Sequence, residues 1–407
     1  MDNKRKIIND PVFGFISIPS DFIYDMIKHP YLQRLNRIRQ LGLASLVYPG
    51  AQHTRFHHSV GAMYLMNEAI AQLRMKGNEI SDEEAEGVLS AILLHDIGHG
   101  PFSHVLEHTL IRNMHHESIS LMMMEEMNRH FDGRLDIALQ IFQDHYPQHF
   151  LHQLVSGQLD MDRLDYLRRD SFFTGVVEGN IGSARIIKML NVQNDRLVVE
   201  AKGIYSIENF LMARRLMYWQ VYLHKTALAA EKMLINTLRR AKEVAKRGDD
   251  LFATPALKFF LYNDICNENF DQEALTQYVR LDDNDIWSSL KVWEDHADFV
   301  LSTLSRCLVN RTLFKVEVDS APFDEKRIEE LVSGYAERFS LSLEEAAYFV
   351  VSDSISTNMY KEADDSIDIV YHGGETKDIS EASDMLNISL LSKSIKKYYC
   401  CFLRYSK

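Results

Sequence analysis

The chain has 407 residues, 46% hydrophobic and 25% charged, the balance of a globular protein with room for one large core or two smaller ones. No run approaches the roughly eighteen uninterrupted apolar residues of a spanning helix, and the basic N-terminus MDNKRKIINDPVFGF lacks a signal peptide's apolar segment, so a cytoplasmic protein with no membrane partner is expected. The formal charge of −13 disfavours long nucleic acid, which needs an extended basic surface, but leaves room for a small anion in a local cationic pocket.

Helical periodicity dominates to about residue 245. A first helix is predicted from His58 to Met75, stopped by Gly77. Ser81-Asp82-Glu83-Glu84 is a capping box, and Ala85, Val88, Leu89, Ile92 and Leu93 then form one apolar stripe. Gly98, Gly100 and Pro101 end that helix just after His95-Asp96, so the pair stands where backbone can open toward a pocket. A third helix, about 159–170, spaces Asp162, Tyr166 and Asp170 at i, i+4 and i+8 on one face, with Leu164 and Leu167 turned to the core.

Residues 195–205 read as a short hairpin or a strand and turn, and about 206–246 as one long helical stretch. KRGDD, beginning at Lys246, is the expected linker. Beyond it, strand-like runs at 312–318, 348–354, 366–371 and 397–403 alternate with helices. The fold class expected is mainly α, with a helical core over 1–245 and a smaller α+β lobe over 246–407. Four cysteines without metal-type spacing argue against a disulfide framework, and Cys400-Cys401 reads as part of a strand.

His58, His95, Asp96 and Asp162 together offer two imidazoles and two carboxylates, a donor set for one divalent ion. The mixture of nitrogen and oxygen suits Mn²⁺, Fe²⁺, Ni²⁺ or Zn²⁺ and tolerates Mg²⁺, and a second Mg²⁺ could accompany a polyphosphate. Such an ion acts as a Lewis acid and acidifies bound water, which serves phosphoester hydrolysis. Around it, Arg55, His99, His104 and Arg163 are cationic donors suited to phosphate, Arg in a two-pronged fork. His116 is the candidate for moving protons, since an imidazole ordinarily titrates near neutrality. With 17 histidines in the chain, most must pack or face solvent; His53, His57, His108, His115, His145, His149 and His152 are read that way.

These residues resemble the HD-domain phosphohydrolases, specifically the deoxynucleoside triphosphate triphosphohydrolases related to the human sterile-alpha-motif and HD-domain enzyme. The likeness runs from KIINDPVFGFI (6–16) through QRLNRIRQLGLASLVYPGAQHTRFHHSVG (33–61), LLHDIGHGPFSHVLE (93–107), HHES, DMDRLDYLRRD (160–170), YLHKTAL (222–228) and RTLFKVEV (311–318) to KKYYCCF. It implies a helical HD core, with the motif region at about 50–170, and a C-terminal lobe engaged in oligomer and effector contacts. It implies metal ligation by His58, His95, Asp96 and Asp162, and triphosphate contact or catalytic support from Arg55, His99, His104, Arg163 and Tyr166. His116 falls at the family's catalytic histidine and Glu107 where an aspartate usually orients it. Gln40 and Asp170 match positions that hold the sugar 3′-hydroxyl, with Tyr166 against the sugar edge. The implied reaction is water attack at the α-phosphorus of a deoxynucleoside triphosphate, giving deoxynucleoside and tripolyphosphate, in a homodimer or homotetramer.

The regulatory positions depart from the family. Lys28 and Asn36 stand where dGTP-activated members read guanine through Asp and Arg, while Gln33 is retained. Phosphate-facing positions are kept at Lys6, His224, Lys225, Arg311 and Lys315, so an effector nucleotide between subunits is expected, with a base other than guanine allowed. Two rival functions stay open at this level: an HD phosphohydrolase of nucleoside monophosphates or cyclic nucleotides, and a catalytically silent nucleotide sensor.

Overall fold

The computed structural model describes residues 6–102, 104–107, 109–357, 366–384 and 395–404. Helix Arg55–Met75 is central, packing against both Asp82–Leu94 and Met161–Thr174. It starts a turn earlier than its apolar pattern suggests, because the His57 ring turns back to accept the Thr54 amide at 3.2 Å. Arg55 and His58 therefore stand close together in its first turn. Asp82–Leu94 opens with the expected box: Ser81 Oγ accepts the Glu84 amide at 3.1 Å, and Glu84 accepts the Ser81 amide at 2.7 Å. Met161–Thr174 begins at an Asp160 cap and ends at Gly175, whose φ of +76° is the left-handed stop that glycine adopts cheaply. Leu164 and Leu167 are fully buried, as their spacing predicts.

The expected hairpin is present but starts earlier than 195–205: Leu190–Gln193 pairs with Arg196–Glu200 about a turn at Asn194-Asp195, and residues 201–205 are already helical. Both turn residues have positive φ (+51° and +58°), the conformation of a tight two-residue turn and one that Asn and Asp tolerate. The stretch read as one long helix is two, Ile204–Met217 and Lys225–Lys246, separated by a π turn at Tyr218–Tyr222. The break comes from His224, whose extended backbone caps the second helix while its ring accepts the Thr226 amide at 3.2 Å.

All four strand-like runs of the C-terminal half contain strands. Ile395–Phe402 lies between Lys315–Asp319 and Val350–Thr357, antiparallel to both. Helices Lys225–Lys246 and Glu325–Phe339 pack against this sheet. Neighbouring strand residues point to opposite faces, so the full burial of both Cys400 and Cys401 means that both faces are covered. Asp368–Val370 goes elsewhere: it pairs in parallel with Arg196–Glu200, adding to the hairpin of the N-terminal half. A second parallel pairing joins Ile111–Arg112 to Ile265–Cys266. The segment after Lys246 is tied down, since Tyr262 Oη donates to the Asp249 carbonyl and accepts the Leu251 amide. Among the described residues, no helix is long and apolar enough to cross a membrane.

Candidate active site

His58, His95, Asp96 and Asp162 converge from three helical segments. His58 Nε2 lies 3.0 Å from Asp162 Oδ1, 3.3 Å from His95 Nε2 and 3.8 Å from Asp96 Oδ2; His95 Nε2 lies 3.4 Å from Asp96 Oδ1 and 3.5 Å from Asp162 Oδ1. Donor atoms bound at about 2.1 Å to one ion stand roughly 3.0–3.4 Å apart, so His58, His95 and Asp162 have close to the right span for a transition-metal cation, while Asp96 stands beside them with Oδ2 held by Arg55.

The tautomers fit as well. His58 Nδ1 donates to Asp165 Oδ2 at 2.7 Å and His95 Nδ1 donates to the Ile92 carbonyl at 2.7 Å, and both partners can only accept. Both Nε2 lone pairs are thereby aimed at the same space, where they need a cation between them. Without an ion a proton takes that place. Burial opposes the His58 imidazolium, but hydrogen bonds to Asp162 and Asp165 outweigh it and push His58 up to about 10. Burial would raise Asp162 too, and the two histidines instead hold it well below the usual carboxylate range. A divalent ion replaces that proton, and these residues fit one.

The loop after His95-Asp96 is held by side chains from distant segments. Arg34 Nη1 donates to the Ile97 carbonyl at 3.2 Å, Tyr278 Oη to the Gly98 carbonyl at 2.7 Å and Ser120 Oγ to the His95 carbonyl at 2.9 Å. Ser120 Oγ also accepts the Gly98 amide at 2.9 Å. A Cβ on Gly98 would lie 2.3 Å from both the His116 carbonyl and the Ser120 amide nitrogen, so only glycine lets helix His116–His130 seat directly on the loop. That close approach fixes His116 relative to the ion seat.

His116 Nδ1 lies 3.1 Å from Glu107 Oε1, so the longer glutamate arm reaches the histidine and leaves Nε2 as the nitrogen that exchanges a proton. His99 stacks on His116 with ring centroids 3.8 Å apart, and its Nε2 lies 3.3 Å from Asp96 Oδ1. Burial, then the Arg55 guanidinium, pull His99 down to about 3, so it stays neutral beside its neighbour. His99, Glu107 and His116 are also close enough to form a second ligand-like trio. Arg55 pairs with Asp96 through Nη1. His104 heads a short helix, but its side chain, like all of His108, lies outside the described residues.

The substrate-side residues are arranged differently. Arg163 is folded back onto its own cap, Nη1 against Asp160 Oδ2, rather than toward the ligands. Burial pushes the Asp160 carboxyl up to about 6 against the pull of Arg163. Tyr166 packs edge-on at 6.5 Å from the His58 ring and 6.0 Å from Tyr222. Asp170 is buried, Oδ1 at 2.7 Å from His53 Nε2 and Oδ2 accepting Tyr222 Oη at 2.8 Å. The Gln40 backbone N–H donates to the His53 carbonyl, and the buried side-chain Oε1 has no hydrogen-bond partner among the described residues.

Residues assigned to effector contact fall into two groups. Lys6 lies over the Tyr24 ring at 3.4 Å and Gln33 Nε2 donates to the Ile27 carbonyl, at either end of helix Asp21–Lys28. His224 and Lys225 begin the helix near Tyr48, while Arg311 donates to the neighbouring Leu46 carbonyl and Lys315 pairs with Glu317.

Sequence reasoning missed Asp165, Arg169, Asp10, Ser120, Tyr278 and Tyr222. Asp165 and Arg169 carried a signal, an acid and an arginine four apart on the helix of Asp162; the others act through tertiary contacts alone.

Comparison with known proteins agrees with this geometry. The HD domain family matches residues 55–170, and the HD associated region matches 181–253. A crystal structure of a phosphohydrolase from Bacteroides thetaiotaomicron is 66% identical, with a TM-score of 0.96 over 98% of this chain and 100% of that one. YwfO of Bacillus subtilis is 31% identical over 94% of this chain and 88% of its own length. The deoxynucleoside triphosphate triphosphohydrolase SAMHD1 homolog of Dictyostelium discoideum is 30% identical over 60% of this chain, which spans about half (51%) of that protein. With His58, His95 and Asp162 on one ion-sized space and Asp96 beside them inside the matched region, the chain belongs to the HD-domain phosphohydrolases.

Proposed function

We propose that this protein hydrolyses deoxynucleoside triphosphates to deoxynucleoside and tripolyphosphate. The observation that supports the reading is the ion seat with the Glu107–His116 pair joined to it through His99, and Tyr166 edge-on to His58. His58, His95, Asp96 and Asp162 hold the ion, of which Mn²⁺, Fe²⁺, Ni²⁺, Zn²⁺ and Mg²⁺ are the candidates. When bound, it supplies Lewis-acid polarisation of a phosphoryl oxygen and acidifies water.

The chain's own residues supply the rest. Arg163 unfolds from Asp160 to meet the anionic tail, and Arg55 and the neutral His99 border it. Gln40 Oε1, which has no hydrogen-bond partner among the described residues, and Asp170 take the 3′-hydroxyl, while Tyr166 packs on the sugar edge. Water oxygen bonds to the α-phosphorus, the bond from that phosphorus to the 5′-oxygen breaks, and the departing oxygen takes a proton. His116 Nε2 gives it, with Glu107 holding Nδ1–H. The second assignment, an effector nucleotide bound between subunits of a homo-oligomer through Lys6, Gln33, His224, Lys225, Arg311 and Lys315, is tested by assaying turnover with each deoxynucleotide singly and in pairs. Strict dGTP dependence would overturn the reading of Lys28 and Asn36.

The decisive experiment incubates Mn²⁺-loaded protein with all four deoxynucleoside triphosphates and identifies the phosphate product. Tripolyphosphate is expected. Orthophosphate from monophosphates, with triphosphates untouched, would favour a monophosphate hydrolase, and no turnover of any nucleotide would leave a sensor.

A further inference from the structure

Behind the ion seat runs a chain of buried charges that touches no ion. Asp165 Oδ2, which accepts His58 Nδ1–H, also accepts Arg169 Nε at 2.9 Å, and Asp165 Oδ1 accepts Arg169 Nη2 at 2.9 Å. The other arm of the guanidinium, Nη1, donates to Asp10 Oδ2 at 2.7 Å. Asp10 ends the first strand of the N-terminal hairpin, Ile7–Asp10 with Gly14–Ser17, and its Oδ1 accepts the Val12 and Phe13 amides at 2.9 Å each. His58, Asp165 and Arg169 are 0% exposed and Asp10 3%. Helix Arg55–Met75 makes room for them: a Cβ on Gly61 would lie 2.0 Å from Arg169 Nη2 and 2.1 Å from Asp165 Oδ1.

Resting on the metal-centre reading, we propose that Asp165, Arg169 and Asp10 are positioning residues that aim His58 Nε2 and set the affinity of the seat for a divalent cation, making the N-terminal hairpin part of the metal centre. Two arguments carry it. A carboxylate on Nδ1 locks the ligating tautomer and makes Nε2 a stronger donor. The relay also sets two carboxylates against one guanidinium in a site closed to water, so it is short of one positive charge, and that charge is what the seat accepts. Removing either carboxylate leaves a neutral relay and weakens the attraction, leaving that of the ligand carboxylates Asp162 and Asp96. Because Asp10 and Arg169 still balance each other in Asp165→Asn, that variant keeps a paired buried charge and should fold.

The test titrates full-length metal-free protein with Mn²⁺, following free Mn²⁺ by electron paramagnetic resonance, alongside the thermal midpoint of the metal-free form. Asp165→Asn is expected to weaken Mn²⁺ binding by about 10- to 100-fold with unchanged stoichiometry and a little-changed midpoint. Asp10→Asn, which does not touch His58, is expected to weaken it by a smaller factor, and it keeps the test decisive should Asp165→Asn fail to fold. A lowered midpoint with wild-type affinity in the folded protein would make the relay merely structural and overturn the proposal. Wild-type protein that takes up no Mn²⁺ would instead overturn the metal-centre reading itself.

Discussion

The carboxylates at and behind the ion seat, of which Asp162 is 26% exposed, and the fully buried Asp160 and nearly buried Asp283 differ in their electrostatics. At the seat, burial alone would raise Asp96, Asp162 and Asp165, yet His95, His58 and Arg169 hold all three low, so negative charge is kept where a cation is to sit. Outside the seat, burial wins: Asp160 beside Arg163 and Asp283, which accepts the Arg39 amide, are both pushed up to about 6. The difference separates a region built to receive its ligand from one that must rearrange. The ion seat is formed before anything binds, and Arg163 has to leave its partner.

Breaking the seat should have the largest effect. Asp162→Ala removes a ligand and leaves His58 and His95 facing each other, so metal affinity should fall by more than the about 10- to 100-fold typical of outer-shell partners, and turnover should be lost with it. Metal content after gel filtration checks this, and unchanged hydrolysis in the variant would sink the ligand assignment. Next comes His116→Ala, which leaves the four ligands untouched. It should lower kcat by about 10²- to 10⁴-fold while the protein still takes up one ion. If His116 belonged instead to a second metal trio with His99 and Glu107, ion stoichiometry would drop, so metal analysis decides between the two roles.

The seat was legible in the sequence through the combination of two imidazoles and two carboxylates at three helix ends, since His or Asp singly is also an ordinary cap there, as His224 and Asp160 are. His58 and His95-Asp96 sit at boundaries that capping residues mark, and Asp162 begins a face shared with Tyr166 and Asp170. The hairpin, the four C-terminal strand runs and the buried Cys400-Cys401 pair were legible from alternation and turn residues. What stayed hidden depends on tertiary placement. Nothing local says that Tyr278 donates to Gly98, 180 residues away, or that Asp10 meets Arg169, 159 residues away. The split of 206–246 was missed because Tyr218–Tyr222 keeps helical periodicity, and only the His224 cap breaks it. The pairing of Asp368–Val370 with Arg196–Glu200 was hidden for the same reason, since a strand pattern does not name its partner.

Arg163→Ala sharpens the contrast from outside the seat. If Arg163 leaves Asp160 only when a polyphosphate arrives, its loss should raise KM by about 10- to 100-fold, the scale of a charge-assisted hydrogen bond, without altering Mn²⁺ affinity. A fall in kcat alone, at constant KM, would place the arginine in the transition state instead.

The smallest effect tests whether carboxylates outside the seat really sit uneasily in the fold. Asp283 has a 4% exposed side chain, Oδ2 accepts the Arg39 amide at 3.0 Å, and Oδ1 has no partner among the described residues. Burial is the leading cause of its rise from 3.8 to about 6. A folded-state value above the unfolded one means that the folded protein binds more protons between these limits. Stability should therefore fall as pH rises from about 4 to 6 and level off above, the reverse of a carboxylate whose ion pair outweighs its burial. Asp283→Asn keeps an acceptor for the Arg39 amide and cannot ionise, so it should match wild type near pH 4 and exceed it by about 1–2 kcal/mol at pH 7, less than the full shift of about two units because the new amide donor also lacks a partner. Urea denaturation at the two pH values reads this directly. A variant less stable than wild type at pH 7 would mean that the Arg39–Asp283 ion pair, at 3.5 Å, outweighs the burial of its charge.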